Sequence, residues 1–167
     1  MKILVVAATS LELDFISDIQ TSEKNQVIKK VLGVGQVPTT YHLLNHIESL
    51  TPDLIVQIGI AGSFVNDCTL GEVFAIGEEY MSDMGVVETG TFQSIFDLKL
   101  MDENQFNPVL ESMEGAAFHY CCIMKNIPFI QIRGVSNYVG ERNKSKWQIE
   151  ASLEAVAKST QEFISNI

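Results

Sequence analysis

The sequence predicts an α/β domain of three layers, in which a mostly parallel or mixed central sheet is flanked by helices. Two observations carry this prediction. Short apolar runs that are typical of buried strands alternate with segments of helical spacing, and turn residues separate them. A length of 167 residues suits one core, so we expect a single domain over 1–167.

The first half of the chain alternates predicted strands with predicted helices. Continuous apolar runs are typical of strands buried on both faces, and Thr9 and Ser10 after the first run favour a helix N-cap. GVGQVP follows the second run and suits a tight turn, with Pro38 in the first turn of the next helix. The predicted elements are a strand at 3–8, a helix from Thr9 or Ser10 through Ile19, a strand at 27–32, a helix at 39–50, and strands at 53–58 and 71–76.

The second half begins with a polar, acidic stretch at 81–108, whose weak periodicity predicts mostly loop. Its isolated aromatic residues are Phe92, Phe96 and Phe106. Regular structure is expected to resume with a helix at 113–125, a strand through PFIQIRGVS, and a C-terminal helix at 145–164. The buried stripe of that last helix is expected to include Ala151, Val156, Phe163 and Ile164.

Composition and charge narrow the class of protein. A hydrophobic fraction of 46% is typical of a globular chain, and no run approaches the roughly 20 apolar residues that span a bilayer. A formal net charge of -10 repels phosphate backbones and anionic lipid, so neither nucleic acid nor a membrane is an expected partner. The N-terminus does not resemble a signal peptide. Three cysteines, Cys68, Cys121 and Cys122, fit reduced thiols in the cytoplasm.

Familiar binding motifs are weak in this sequence. GVGQVP lacks the third glycine of a dinucleotide-binding turn and follows the second strand rather than the first. His42 and His46 are four residues apart on one helix face, but without a third ligand nearby they favour a solvated face over a metal site. His119 lies among aromatic residues and is expected to pack in a helix. The sequence therefore predicts neither a metal nor a cofactor.

Two carboxylates, Glu111 and Glu114, precede the small residues of LESMEGAAFHYCC. They could complement the dipole of a helix that Ser112 caps, which is the simplest structural interpretation. The small residues at 115–117 also leave room for a ligand beside Glu114. These residues alone leave both interpretations open.

Polar segments follow several predicted strands. Glu12 lies one turn past the first strand, GIAGS follows the third, and RGVSNYVG follows PFIQI. Because α/β sheets place ligand-facing loops at the carboxyl ends of their strands, these segments are expected to converge at one edge. The structural alternative makes Glu12 a first-turn charge and Arg133 its partner.

Four motifs carry a family resemblance. GVGQVP, GIAGS, SMEGAA and QIRGVSN occur here in the order found in the purine nucleoside phosphorylase and nucleosidase superfamily, which the chain resembles at both ends. Within it, DMGVVE, SIF and SNYVGERNKSKW are similar to the futalosine hydrolase family. The resemblance implies a nucleoside phosphorylase/hydrolase-like fold, hydrolysis of the N-glycosidic bond of futalosine with release of hypoxanthine for menaquinone biosynthesis, no cofactor, and a homodimer to which 81–108 contributes. The chain departs from the family at 107–109, where it lacks several dozen residues that supply sheet structure and part of the purine-stacking wall.

The resemblance also assigns the catalytic centre. Glu12 is implied as the general base that activates water, and Arg133 as the residue that orients this water. Glu114 is implied to accept hydrogen bonds from the ribose 2′- and 3′-hydroxyls, because an ionised carboxylate can only accept. Met113 is implied to pack on the sugar.

Base recognition is implied at Asn137, which falls where the family holds purine N7 and the six-position substituent. Asparagine there is typical of relatives specific for 6-oxopurines, whereas aspartate is typical of adenine-releasing ones. Ala61 and Gly62 of GIAGS are implied to bind substrate. Three other functions stay open: a nucleoside phosphorylase, an adenine-releasing nucleosidase for methylthioadenosine or aminofutalosine, and a degenerate nucleoside-binding protein.

Overall fold

The structure is a computed structural model that describes residues 1–16, 19, 24–81, 85–94 and 109–167. In chain order the elements are β1 (Lys2–Ala7), α1 (Ser10–Asp14), β2 (Gln26–Val31), α2 (Gln36–Leu50), β3 (Leu54–Ser63), β4 (Val73–Ala75), β5 (Gly85–Glu88), β6 (Thr91–Ser94), β7 (Leu110–Glu111), α3 (Gly115–Met124), β8 (Phe129–Tyr138) and α4 (Ile149–Ser165). A 3₁₀ turn at Lys144–Lys146 precedes α4.

The described residues form a mixed six-stranded sheet in the order β2-β1-β3-β8-β4, with β7 paired to the end of β3. The neighbours β2, β1, β3 and β8 run parallel, whereas β4 and β7 run antiparallel to their partners. The four parallel strands therefore end at one edge, where the predicted polar segments meet.

Two hydrophobic cores lie on the two faces of the sheet. Side chains alternate along β1, so Ile3 and Val5 pack with α1 and α4 on one face, whereas Leu4 and Val6 pack with α2 and α3 on the other. These four side chains are completely buried. Burial of each contributes about 1.5–3 kcal/mol to folding, which explains why the first apolar run predicts a strand so clearly.

Two element boundaries at the carboxyl edge of the sheet differ from the prediction. Thr9 caps α1 as expected, but the helix ends at Asp14 instead of continuing through Ile19, and Ile16 turns into the core. GIAGS does not follow β3 as a loop, because it continues the strand to Ser63.

The C-terminal helix also begins later than predicted, at Ile149 rather than 145. Its buried stripe includes Val156 and Ile164 as expected, and Phe163 is partly buried against the same core. Ala151 is exposed, so that assignment was wrong. The stripe is filled instead by Leu153 and by the small polar residues of the same face.

The prediction of mostly loop for 81–108 is wrong for 85–94, where β5 and β6 form an antiparallel hairpin. Thr89 and Gly90 link them with φ values of 52° and 85°, the two positive φ angles that a tight two-residue hairpin turn requires. Phe96, Phe106 and the shortened position at 107–108 lie outside the described residues. Across the described part of the chain, no helix combines the length and apolar character of a membrane span.

Candidate active site

A buried cation lies at the carboxyl edge of the sheet. Arg133 on β8 is only 1% exposed, and its Nη2 lies 3.5 Å from Glu114 Oε2. Its Nη1 donates to the carbonyl oxygen of Ile60 at 3.4 Å, and its Nε has no partner within the described residues. A buried charge is tolerated only with compensating groups, and the Glu114 carboxylate and the Ile60 carbonyl oxygen supply them for Arg133.

Glu12 divides its two carboxylate oxygens between structure and site. Oε2 accepts hydrogen bonds from the Thr9 backbone N–H and hydroxyl, each at 2.9 Å, and Thr9 Oγ1 accepts from the Glu12 N–H at 3.3 Å. This capping box is the structural role that the sequence left open. Oε1 instead points toward Gly59 on β3, and the catalytic role of Glu12 stays a prediction.

Gly59 on β3 makes that approach possible. A Cβ at this position would overlap Arg133 Nη1 and would lie 2.7 Å from Glu12 Oε1. Both charged groups therefore occupy the space that a side chain at Gly59 would fill. Glu12 and Arg133 are neighbours because β3, between β1 and β8 in the sheet, has no side chain there.

Glu114 occupies the N-cap position of α3, yet its side chain makes no capping hydrogen bond. Its Oε1 accepts from the Gly35 N–H at 3.0 Å, while Oε2 faces Arg133. Ser112 Oγ accepts from the Gly115 N–H at 3.1 Å, so its oxygen bonds a backbone N–H at the helix start as expected, although the N-cap residue is Glu114. Glu114 is thus turned away from its helix, and Glu111 lies on β7 rather than in the first turn of α3.

Asn137, Ala61 and Gly62 form a second group at the ends of β3 and β8. The parallel register shifts between Ala61 and Gly62, which places Gly62 opposite Asn137. The Asn137 amide is 7% exposed; its Oδ1 accepts from Ser136 Oγ at 2.8 Å and its Nδ2 donates to Tyr138 O at 3.1 Å. Since an amide has two donors and two lone pairs, each end keeps one for another partner.

Met113 lies beside Glu114 in the chain and is 63% exposed. Among the predicted site residues, the structure therefore brings Glu12, Arg133 and Glu114 together around Gly59 and Gly35. It places Met113 at the surface next to them.

Sequence reasoning missed Glu79 and Gln131. Gln131 Nε2 donates to Glu79 Oε1 at 2.7 Å, and Gln131 is fully buried on β8, two residues before Arg133. Burial raises the pKa of Glu79, although the Gln131 hydrogen bond and the Arg133 charge act in the opposite direction. Glu79 follows β4, which runs antiparallel to β8, so the rule that ligand-facing residues follow parallel strands does not predict its position.

We expect Glu79→Gln to raise stability at neutral pH. A carboxyl whose pKa is raised by folding stabilises the fold most while it is protonated, and this contribution is lost as the pH rises from its ordinary 4.5 through the folded value. Glutamine stays neutral and can still accept from Gln131. The measurement is Tm against pH for both proteins, with Glu78→Gln as the matched control; a Tm difference that is the same at acidic and neutral pH would contradict it.

The three histidines lie on the helices α2 and α3. His119 packs edge-on against Phe118 and Phe129, with ring centroids 5.9 and 4.7 Å away, and burial lowers its pKa. This confirms the expectation of a packed residue. His42 and His46 stack on α2 with centroids 6.5 Å apart, and the described residues hold no group of three metal-ligating side chains.

Comparisons with known proteins bear on the fold and on the class of relatives. The sequence matches no protein-family model. It is 23% identical to futalosine hydrolase of Thermus thermophilus, over 79% of this chain and 78% of the relative, and 23% identical to the 5′-methylthioadenosine/S-adenosylhomocysteine nucleosidase of Desulfotalea psychrophila, over 79% and 75%. The structure of futalosine hydrolase from Helicobacter pylori superimposes with a TM-score of 0.77 and 15% identity, over 99% of this chain and 98% of that one.

These similarities confirm the predicted fold class and the resemblance to the nucleosidases, which are N-glycosidases. The alignment with the Thermus relative extends over 176 positions, although only 79% of this 167-residue chain takes part. The relative therefore contains residues that this chain lacks.

Proposed function

We propose that this protein is a cytoplasmic nucleosidase that hydrolyses the N-glycosidic bond of futalosine, releasing hypoxanthine and the dehypoxanthinyl product for menaquinone biosynthesis. The observation that carries the proposal is the convergence of Glu12, Arg133 and Glu114 around Gly59 at the carboxyl edge of the sheet. The names of the curated relatives support the reaction class. The buried, unpaired cysteines support a reducing compartment.

Glu12 supplies the general base in this mechanism. Its Oε2 is held by Thr9, which fixes the side chain, and its Oε1 lies next to Gly59, where Arg133 Nη1 also lies. A water between the two would donate to the carboxylate and accept from the guanidinium, which orients its lone pair toward the anomeric carbon. The proposed chemistry uses neither a metal nor a cofactor.

Glu114 anchors the ribose. Each of its oxygens has one protein partner, Gly35 N–H or Arg133, and retains a lone pair for a sugar hydroxyl. Its negative charge also favours the oxocarbenium character that develops on the sugar during glycosidic cleavage. The side chain of Met113, the exposed residue before Glu114, would pack on the sugar face.

Asn137 reads the base, with Ala61 and Gly62 beneath it. Its remaining N–H can donate to O6 of hypoxanthine while its carbonyl accepts from N7–H of the departing base. A Cβ at Gly62 would lie 3.2 Å from Asn137 Nδ2 and 3.1 Å from Glu111 Oε1, so the absence of a side chain there leaves room beside the amide.

Asn137→Asp should shift the choice of base toward adenine. An ionised aspartate would face O6 with a second acceptor, and a mismatched buried pair costs about 1–3 kcal/mol, so activity on futalosine should fall roughly ten- to a hundredfold. Activity on aminofutalosine should fall less or rise. The measurement is the ratio of kcat/KM for the two nucleosides, and an unchanged ratio would remove Asn137 from base recognition.

The test of the proposed function is release of free base from purified protein. Hypoxanthine released from futalosine without added phosphate supports the proposal, whereas release that requires phosphate identifies a phosphorylase. Preferred release of adenine from methylthioadenosine or aminofutalosine supports the second candidate, which the Desulfotalea relative favours. Binding of futalosine without turnover would identify a degenerate nucleoside-binding protein.

We also propose that the chain is one domain, shortened near 107–109, that works as a homodimer. Six exposed apolar side chains, which we call the apolar face, lie on the packed helices α2 and α3 and beside the start of α3: Val37, Tyr41, Met113, Tyr120, Ile123 and Met124. Spacings of three and four residues put the members of each helix on one side. A second copy would cover this face next to Met113, so the site would adjoin the interface.

Light scattering should show a dimer at micromolar concentration. Ile123→Glu should shift the protein to monomer without unfolding it. Ile123 is 64% exposed in the monomer, so a charge at this position stays hydrated there and is unfavourable only where a second copy covers it. Leu11→Glu on α1, also an exposed apolar residue, is the matched control and should stay dimeric. A wild-type protein that is monomeric at these concentrations would rule out the dimer.

A further inference from the structure

The carboxylate of Glu79 lies against the first residue of α3. A Cβ on Gly115 would overlap Glu79 Oε1, so the acid occupies the space that any other residue at 115 would need. The same oxygen accepts from Gln131 Nε2 at 2.7 Å and lies 3.5 Å from Ser112 Oγ. Glu79 thus connects β8 to the segment that carries Glu114.

The start of α3 needs such a support because its own N-cap side chain is turned away. Glu114 bonds Gly35 and Arg133 rather than its helix, which leaves Ser112 as the side-chain acceptor for the first turn. Glu79 Oε1 fills the space beside Gly115 in this first turn. Its hold is rigid because Gln131, its donor, is fully buried.

We propose that Glu79 is a positioning residue: by holding Gly115 and Ser112 against Gln131, it keeps the Glu114 carboxylate aimed at Arg133 and at the ribose. This inference rests on the proposed nucleosidase function. In this proposal Glu79 does not contact the substrate but positions Glu114, which does.

Polar and charged residues from two elements face Glu79. The groups that face it are Gln131 and Arg133 from β8 and Ser112 and Glu114 from the start of α3. Burial and the Glu114 charge raise its pKa, whereas Gln131, Arg133 and Ser112 act in the opposite direction. The proposal rests on the hydrogen bond from Gln131, which an amide oxygen at position 79 can also accept.

A double-mutant cycle on kcat/KM tests the proposal. Glu79→Ala should lower kcat/KM for futalosine roughly tenfold, since the hydrogen bond that ties the start of α3 to Gln131 is lost. Gly115→Ala should lower it at least as much, because its Cβ would displace both Glu79 Oε1 and Gln131 Nε2. The double variant should be no worse than Gly115→Ala alone, since that substitution already removes the contact between Glu79 and Gln131. Glu79→Gln, which still accepts from Gln131, should stay within about threefold of wild type.

Glu78→Ala is the control on the same loop, because Glu78 is exposed and bonds Tyr80. It should leave kcat/KM unchanged. Additive effects of Glu79→Ala and Gly115→Ala, or a Glu79→Ala protein as active as Glu78→Ala, would overturn the proposal.

Hydrogen exchange separates this inference from the proposed function. Amides of a peptide over 112–120 should exchange faster in Glu79→Ala and Gly115→Ala than in wild type, and Glu79→Gln should restore protection. This measurement needs no turnover. A wild-type protein that releases no base would contradict the proposed function, and hydrogen exchange would still test whether Glu79 holds the start of α3. Unchanged exchange in Glu79→Ala would show that Glu79 does not hold α3.

Discussion

Glu12→Gln should lower kcat/KM for futalosine by about 10² to 10⁴, the range that general base catalysis contributes. Glutamine has the shape of glutamate but cannot accept the proton from the attacking water. The fold of α1 should survive, because Gln at this position of a capping box can still accept from the Thr9 N–H. The measurement is initial-rate hypoxanthine release together with Tm. Equal rates for the variant and wild type would exclude Glu12 as the base.

Two control variants separate the base from the cap. Thr9→Val removes the hydroxyl of the capping box and should cost about 0.5–2 kcal/mol of stability, with a much smaller effect on rate than Glu12→Gln. Asp14→Asn removes an exposed charge from the same helix and should change neither. If Thr9→Val reduced activity as much as Glu12→Gln, the role of Glu12 would be to hold α1 in place.

The sequence predicts the parts of the site that depend on local pattern and on parallel strands. The apolar run before Thr9 locates β1, and the cap at Thr9 locates Glu12 one turn later. The rule that carboxyl ends of parallel strands share an edge then brings Glu12 to the level of β8 and Arg133. The family resemblance was needed to give these residues roles, because the sequence alone also allowed Glu12 to be a first-turn charge and Arg133 its partner.

The remaining contacts depend on pairings that no local pattern encodes. The overlap of Arg133 and Glu12 at Gly59 follows from the register of β3 with both neighbours, and the bond from Gly35 to Glu114 joins residues 79 positions apart. Glu79 reaches the site only because β4 runs antiparallel to β8. Such contacts are set by the sheet as a whole.

Glu114→Ala should damage both catalysis and stability, for two different reasons that the structure separates. Loss of the ribose acceptor removes roughly 1.5–3 kcal/mol, or about ten- to a hundredfold in rate when expressed in the transition state. Loss of Glu114 also leaves the Arg133 side chain, which is 2% exposed, without its ion-pair partner. Breaking a buried pair costs up to about 3–5 kcal/mol of stability. The nearby carboxylate of Glu12 offsets part of that cost. The measurements are kcat/KM and the free energy of unfolding.

Glu114→Gln distinguishes the two effects. The amide keeps the volume and one acceptor, so the loss of stability should shrink to about 1–3 kcal/mol, while the rate should still fall at least tenfold because the negative charge beside the developing oxocarbenium is gone. Glu48→Gln is the matched control: it breaks an exposed pair with Lys125 of nearly the same length, 3.4 Å, and should change stability by less than about 1 kcal/mol and leave the rate unchanged. A Glu114→Gln protein with wild-type rate and lowered Tm would return Glu114 to a purely structural role as the partner of Arg133.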